Sequence, residues 1–229
     1  MKKLIDDAAI MVFTAISRIK GYQFRLVSTT QEDRDAERLF RAQGYKLPQD
    51  YQHEMYQYKP ETIRFIAYYK GEVVGTVSLA DPGIVNRPFL LHGLDAAGEH
   101  FEIQSLIVSK DHRECSQLVL LGLFKEMYLW SVRNGVRSWI SLGLRQLYIT
   151  MRRYNKQISL LPIAAENRQH PIAAYLYANN IFDSCAIMQV KDFSPCQILV
   201  KFLKKRIRKL ANYSPASIYA RYELSLLNG

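Results

Sequence analysis

The stretch Phe101-Glu102-Ile103-Gln104-Ser105-Leu106-Ile107-Val108-Ser109 decides how this chain is read. Phe101, Ile103, Ser105 and Ile107 alternate with Glu102, Gln104, Leu106 and Val108, the run is rich in β-branched residues, and Ser109-Lys110-Asp111 reads as a turn behind it. The alternation predicts a buried strand. Glu102 is the misfit, because a carboxylate taken out of water is costly unless it is paired or has a chemical task. Directly behind the turn, an amphipathic pattern predicts a long helix from about Arg113 to Arg133. Strand, tight turn and long helix, with an acid on the strand, form the unit from which the rest is read outward.

Upstream, Thr62 to Tyr69 and Glu72 to Leu79 are β-branched and aromatic runs joined by Lys70-Gly71, which predicts an antiparallel hairpin. Asp81-Pro82-Gly83 closes it, and Asn86 to Glu99 is an irregular connection. Nearer the start, Leu4, Ala8, Met11, Val12, Ala15 and Ile19 fall on one helical face, and Tyr22 to Val27 alternates as a strand. Thr30, with Asp33 three residues on, predicts the cap of a helix that runs to about Gln43 and stops at Gly44. Tyr45 to Pro60 is polar and aromatic and is predicted as a loop, either a substrate lid or a packed surface loop. Downstream, Val136 to Leu142 reads as a strand, Gly143 to Tyr154 as a short basic helix, and Ile158 to Ala164 as extended chain. A helix over Pro171 to Ala178, a last strand over Cys185 to Val190 and a basic amphipathic helix over Ser194 to Ala211 complete the order.

At 229 residues and 48% apolar content, the chain suits one medium domain with a sizeable core. Residues 1–20 form a terminal amphipathic helix, 21–193 the domain proper, and 194–229 a basic helix and tail expected to pack on it. Three cysteines, Cys115, Cys185 and Cys196, have no metal-ligand spacing and cannot make a disulfide framework. A reducing cytoplasm is therefore expected, with each thiol free and buried. The start is basic, but Asp6 and Asp7 interrupt it and no small-residue cleavage site follows. The net charge of +10 is uneven: up to residue 100 there are 13 basic and 13 acidic residues, and beyond it 18 basic and 8 acidic. A basic half points to an anionic partner. A basic nucleic-acid-binding module is one such reading, but no Cys/His finger, RNA-binding aromatic motif or recognition helix supports it.

A hairpin in front of a strand-helix-strand unit predicts an α/β fold, a mixed central sheet with helices on both faces. In that order, and in a hairpin from Phe65 to Leu79 centred on Lys70-Gly71-Glu72-Val73-Val74-Gly75-Thr76, the chain resembles the acyltransferases of the GNAT (N-acetyltransferase) fold. The resemblance makes Phe101 to Ser109 the fourth strand, where a splayed neighbour admits an acyl thioester. The family usually follows that strand with a Gln/Arg-x-x-Gly-x-Gly/Ala loop that holds the coenzyme A pyrophosphate. Here the segment Lys110-Asp111-His112-Arg113-Glu114-Cys115-Ser116-Gln117 has no glycine, so close backbone approach to a phosphate is disfavoured. A branch of the same fold takes acyl groups from acyl carrier protein: the autoinducer (acyl-homoserine lactone) synthases and the long-chain N-acyl amino acid synthases. The chain resembles the latter more closely, through Arg34 to Tyr45, Val73-Val74-Gly75-Thr76, Glu102-x-x-Ser105-Leu106-Ile107-Val108 and the glycine-free turn.

The resemblance implies an N-acyltransferase that moves a long acyl chain from acyl carrier protein to the amine of an amino acid, with tyrosine the suggested acceptor. It implies no metal or redox cofactor. An autoinducer synthase, to whose Arg-x-x-x-Phe signature Arg34 to Phe40 is loosely similar, and an acetyl-coenzyme A-dependent N-acetyltransferase are the alternatives. An ammonium cannot attack a thioester, so a base must take its proton. Glu102 is the candidate, with burial raising its pKa toward a useful value. Its ordinary structural role would be to pair with a buried arginine such as Arg64. Backbone N–H groups around Ser105, Leu106 and Ile107 would polarise the carbonyl. Leu142, Leu147, Tyr148 and Met151 either line an apolar slot for the acyl chain or are plain core. Acyl carrier proteins are acidic, so Lys110, Arg113, Arg145, Arg152 and Arg153, with Lys204 and Lys205 in the tail, are docking candidates or simply a solvated face. For the basic tail, weak contact with an anionic membrane surface is a further option.

Overall fold

Lys70 and Gly71 both adopt positive φ, 49° and 92°, and that two-residue turn sets the register of the sheet. Positive φ at both central positions gives a turn whose twist matches its flanking strands, here β2 (Ile63–Tyr69) and β3 (Glu72–Ala80). In the computed structural model, which describes residues 2–43, 62–80, 100–142, 148–149, 152, 158–162 and 184–190, strands add outward from this hairpin. β1 (Tyr22–Leu26) pairs with β2 and β4 (His100–Val108) with β3, both antiparallel. β5 (Ser138–Leu142) then lies parallel to β4, while β6 (Ser159–Pro162) and β7 (Ser184–Gln189) close the far side antiparallel. The order of the seven strands is β1-β2-β3-β4-β5-β7-β6. Every predicted strand that falls on described residues is present.

Among the described residues, three α-helices flank the sheet. α3 (Ser116–Arg133) packs on the face that carries Phe65, Val77, Leu79 and Ile103, burying Val119, Leu123 and Met127 in one core with Trp139. Each fully buried side chain of this size contributes about 1.5–3 kcal/mol, so this layer supplies much of the driving force for folding. The approach is close. A Cβ on Gly122 would sit 2.2 Å from the Phe24 ring, and one on Gly75 would sit 2.6 Å from Val119 Cγ1. Trp139 satisfies its indole by donating to Ser131 Oγ at 2.9 Å.

α2 (Thr30–Gln43) covers the opposite face, the side of Arg64, Thr76 and Ser78. Its cap lies one residue earlier than the sequence predicts. The Glu32 N–H donates to Thr29 Oγ1, while Glu32 Oε2 accepts from the N–H groups of Ser28 and Thr29 and from the Ser28 hydroxyl. This is a reciprocal capping box, and Glu32 Oε1 also pairs with Arg25. Asp33, freed from the cap, turns inward.

α1 (Lys2–Ile19) docks through a different face from the one expected. Ala9, Phe13 and Ser17 are buried, whereas Met11 and Ile19 are 72% and 86% exposed. Residues 8–19 hold two apolar stripes, and periodicity cannot rank them. The stripe chosen is the one whose Phe13 ring reaches Phe24, with centroids 6.3 Å apart. Lys125 Nζ, buried on α3, donates to Thr14 Oγ1 at 3.2 Å and pairs with Glu126, tying α1 to α3. No described helix is long and apolar enough to cross a membrane.

Candidate active site

β4 and β5 share only three rungs: His100 with Ser138, Phe101 with Trp139 and Glu102 with Ile140. Past Glu102, β4 runs on to Val108 against β3 alone among the described residues, and β5 runs on to Leu142 against β7. Two parallel strands therefore part at the level of Glu102. Where strands separate, backbone N–H and C=O groups lose their sheet partners and become available to something else.

Just past that point β4 bulges. Thr76 faces Ile107 but Ser78 faces Gln104, so Ser105 and Leu106 together oppose Val77. Ser105 has φ of 53°, a left-handed conformation that a non-glycine residue adopts at a cost. A bulge leaves its extra residue outside the ladder and re-aims the chain. The predicted N–H donors at Ser105, Leu106 and Ile107 thus lie on irregular backbone beside the gap. Ser105 and Leu106 are half-buried and Ile107 is buried.

Glu102 itself is 6% exposed. The Gln104 amide donates to its Oε2 at 2.6 Å. Gln104 belongs to a polar row on the α2 face, in register across three strands: Arg64 faces Ser78, and Ser78 faces Gln104. Arg64 Nε donates to Ser78 Oγ at 3.2 Å, and its Nη1 lies 3.0 Å from Asp33 Oδ1. Asp33, Ser78 and Glu102 are all buried. Among these contacts, Arg64 engages Asp33 and Ser78, and Glu102 engages Gln104.

Behind β4 the chain departs from the predicted tight turn and helix start. Lys110–Cys115 forms 3-10 turns broken by a kink at His112, where φ is −109° and ψ 19°, and the α-helix begins only at Ser116. The His112 N–H bonds Ser109 O within this turn. Gln43, from the end of α2, clamps it: its Oε1 accepts from the Lys110 N–H at 2.6 Å, and its Nε2 donates to Ser109 Oγ at 3.2 Å. The His112 ring packs edge-on against Tyr69, with centroids 4.9 Å apart, and its Nδ1 is 3.4 Å from the Tyr22 hydroxyl. Cys115, expected to be buried, is exposed because it ends the turn at the helix start. Burial, then the hydrogen bond and charge of Cys115, then the charge of Tyr69 push the Tyr22 phenol above its ordinary value.

The remaining predicted residues are scattered. Tyr148 is half-buried against the core, and its hydroxyl accepts from the exposed Arg152 at 2.9 Å. Lys110 is exposed at the end of β4, Arg113 lies in the 3-10 turn, and Leu142 ends β5. Met151, Arg145, Arg153, Lys204 and Lys205, like the loop 45–60, lie outside the described residues. Sequence reasoning missed Gln104, although its i+2 spacing from Glu102 on one strand was the signal. It also missed Asp33, assigned to the cap, and Gln43, whose partner is 67 residues away and leaves no local signal.

No family model matches the sequence, and no curated protein matches it. Solved structures do. The acyl-homoserine lactone synthase BjaI, described as coenzyme A-dependent, superposes with a TM-score of 0.54 at 14% identity, covering 80% of this chain and 90% of that one. FeeM, an N-acyl amino acid synthase from uncultured soil microbes, superposes with a TM-score of 0.51 at 12% identity, covering 79% of this chain and 97% of that one. The fold is that of the GNAT acyltransferases. The resemblance carried by the hairpin and the fourth strand is thus present in three dimensions, in the strand order and in the parting of β4 from β5. At such identities the likeness concerns the fold.

Proposed function

We propose that the chain is an N-acyltransferase that joins a long acyl group, delivered as a thioester of acyl carrier protein, to the amine of an amino acid such as tyrosine. One observation carries the reading: a buried carboxylate, Glu102, sits on the last shared rung of two strands that part, next to a bulge in the strand that bears it. In this reading the thioester enters the gap and the bulged backbone at Ser105 and Leu106 turns N–H groups toward its carbonyl oxygen. Glu102 takes a proton from the incoming ammonium. The neutral amine then forms the C–N bond, and the C–S bond breaks as the tetrahedral oxyanion collapses. The proton held by Glu102 passes to the departing thiolate, which restores the carboxylate, and the extra proton that the attacking nitrogen carries into the tetrahedral adduct is released to solvent as the amide forms.

The donor assignment draws on the turn behind β4. A nucleotide pyrophosphate wants a glycine-lined nest at a helix start. This turn has no glycine, is wound as 3-10 turns kinked at His112, and packs the His112 ring against Tyr22 and Tyr69. A carrier-bound thioester needs no such nest, because the carrier's acidic surface docks outside, with Lys110 and Arg152 among the exposed cations that could meet it.

The test is to incubate the pure protein with tyrosine and the other amino acids, offering in parallel a long-chain acyl carrier protein thioester, the matching acyl-coenzyme A, and acetyl-coenzyme A. N-acyl amino acid from the carrier thioester is expected. Product only from a coenzyme A thioester overturns the donor assignment, and no product from any donor overturns the activity.

A further inference from the structure

We infer that Gln104 is the residue that positions and tunes the Glu102 carboxylate, an assignment that rests on the proposed role of Glu102 as the base. Four observations meet at this side chain. Its amide nitrogen lies 2.6 Å from Glu102 Oε2, a short contact for N–H···O and in the range of charge-assisted bonds. It stands two residues on from Glu102, so both side chains leave the same face of β4. It is the next residue on that face after the last rung shared with β5, at the mouth of the gap. And the left-handed residue that opens the bulge is its immediate neighbour, Ser105, so the break in register falls directly after it.

The chemistry follows from what a glutamine amide can do. Its NH2 group donates, and it carries no proton that titrates near neutrality. A donor aimed at a carboxylate oxygen favours the charged, proton-accepting form over the acid. With Oε2 held, the plane of the carboxylate is set and Oε1 is aimed with it. Gln104 in turn lies in register with the polar row of the α2 face. Its cross-strand neighbour Ser78 is buried and bonded to Arg64, which Asp33 anchors from α2. The row of Arg64, Ser78 and Gln104 is thus in register across three strands, and its last member bonds Glu102.

The deciding experiment compares Gln104→Leu with Gln104→Met, two donor-free replacements of similar size, against Glu102→Gln, in two readouts. In the first, the Glu102 carboxyl carbon is titrated by NMR in protein labelled with 13C-glutamate, its resonance assigned by its loss in Glu102→Gln. In the second, kcat/KM for acyl transfer from a long-chain acyl carrier protein thioester to tyrosine is followed against pH. Losing the donor should raise the Glu102 midpoint by about one pH unit or more. The rising limb of the rate profile should move up by the same amount while the high-pH plateau is kept, so at a fixed pH on that limb the rate falls about tenfold. Gln104→Glu, which sets a second carboxylate against the first, should move both further in the same direction.

An unmoved Glu102 midpoint in both donor-free variants overturns the inference, and so does a uniformly lowered rate with an unmoved limb. A Glu102→Gln protein that keeps the wild-type profile instead sinks the base reading, whatever the NMR titration shows. The NMR readout needs no turnover, so failure of the activity itself and failure of the Gln104 assignment remain distinct results.

Discussion

The two faces of the one sheet are built on different principles. On the α3 side, Phe65, Val77, Leu79 and Ile103 meet Val119, Leu123 and Met127 with glycines at points of close approach, and the Trp139 indole there donates to Ser131. On the α2 side, the same strands carry Arg64, Ser78, Gln104 and Glu102, buried or half-buried under a helix that adds Asp33. A buried polar row offers less stability than an apolar layer of the same area, because each group gives up water to gain its partner. Among the described residues, this row lies on the face that also carries the candidate base, so that face combines packing with groups that can do chemistry.

That contrast breaks or holds under substitution. The largest effect should come from Glu102→Gln, which keeps the shape and removes the base: turnover at neutral pH should fall by about 100-fold or more, with the thermal midpoint little changed. Turnover that survives would assign proton removal to another group. On the apolar face, Leu123→Ala should cost about 2–5 kcal/mol in denaturant unfolding, since the buried side chain leaves a cavity. Arg64→Met alone should cost about 3 kcal/mol by stranding Asp33, and pairing it with Asp33→Leu should return most of that stability. If the double variant is as unstable as the single, the polar face also holds the fold.

Smaller effects test the elements around the sheet. The Ser28 N–H, acting against burial and with help from the Ser28 hydroxyl, Arg25 and Thr29, holds the Glu32 carboxyl below its ordinary value. A carboxyl whose folded pKa is depressed adds stability above its unfolded pKa and loses it as pH falls through the folded one. Glu32→Gln should therefore lower stability at neutral pH by about 1–2 kcal/mol and flatten the acid limb of the stability profile below the ordinary value of 4.5. Smallest of all, Met11→Ser and Ile19→Ser on the outer stripe of α1 should each change stability by no more than about 0.5 kcal/mol, whereas a comparable change at Phe13 should be severe.

Local pattern was enough wherever one residue's neighbours in the chain dictate its state. The Lys70-Gly71 hairpin, the strand over Phe101 to Val108 and the long apolar period behind it were legible because turn chemistry, strand composition and helical periodicity are properties of a few consecutive residues, whereas the bulge that breaks the alternation at Ser105 was not. The oddity of Glu102 was legible for the same reason. The close approaches at Gly75 and Gly122, by contrast, depend on α3 lying against the strands.

What needed the assembled molecule is everything that depends on which distant groups arrive together. Nothing near Asp33 announces Arg64, and nothing near Gln43 announces the N–H of Lys110, because each pair meets only when the sheet closes. The choice between the two stripes of α1 was likewise made by the ring waiting at Phe24. The chain alone determined that a strand with an acid leads a long helix inside a mixed sheet. Only the tertiary structure decided that this strand loses its neighbour at the acid, bulges just beyond it and turns a glutamine back onto it, since these are relations among β3, β4 and β5 rather than properties of any one of them.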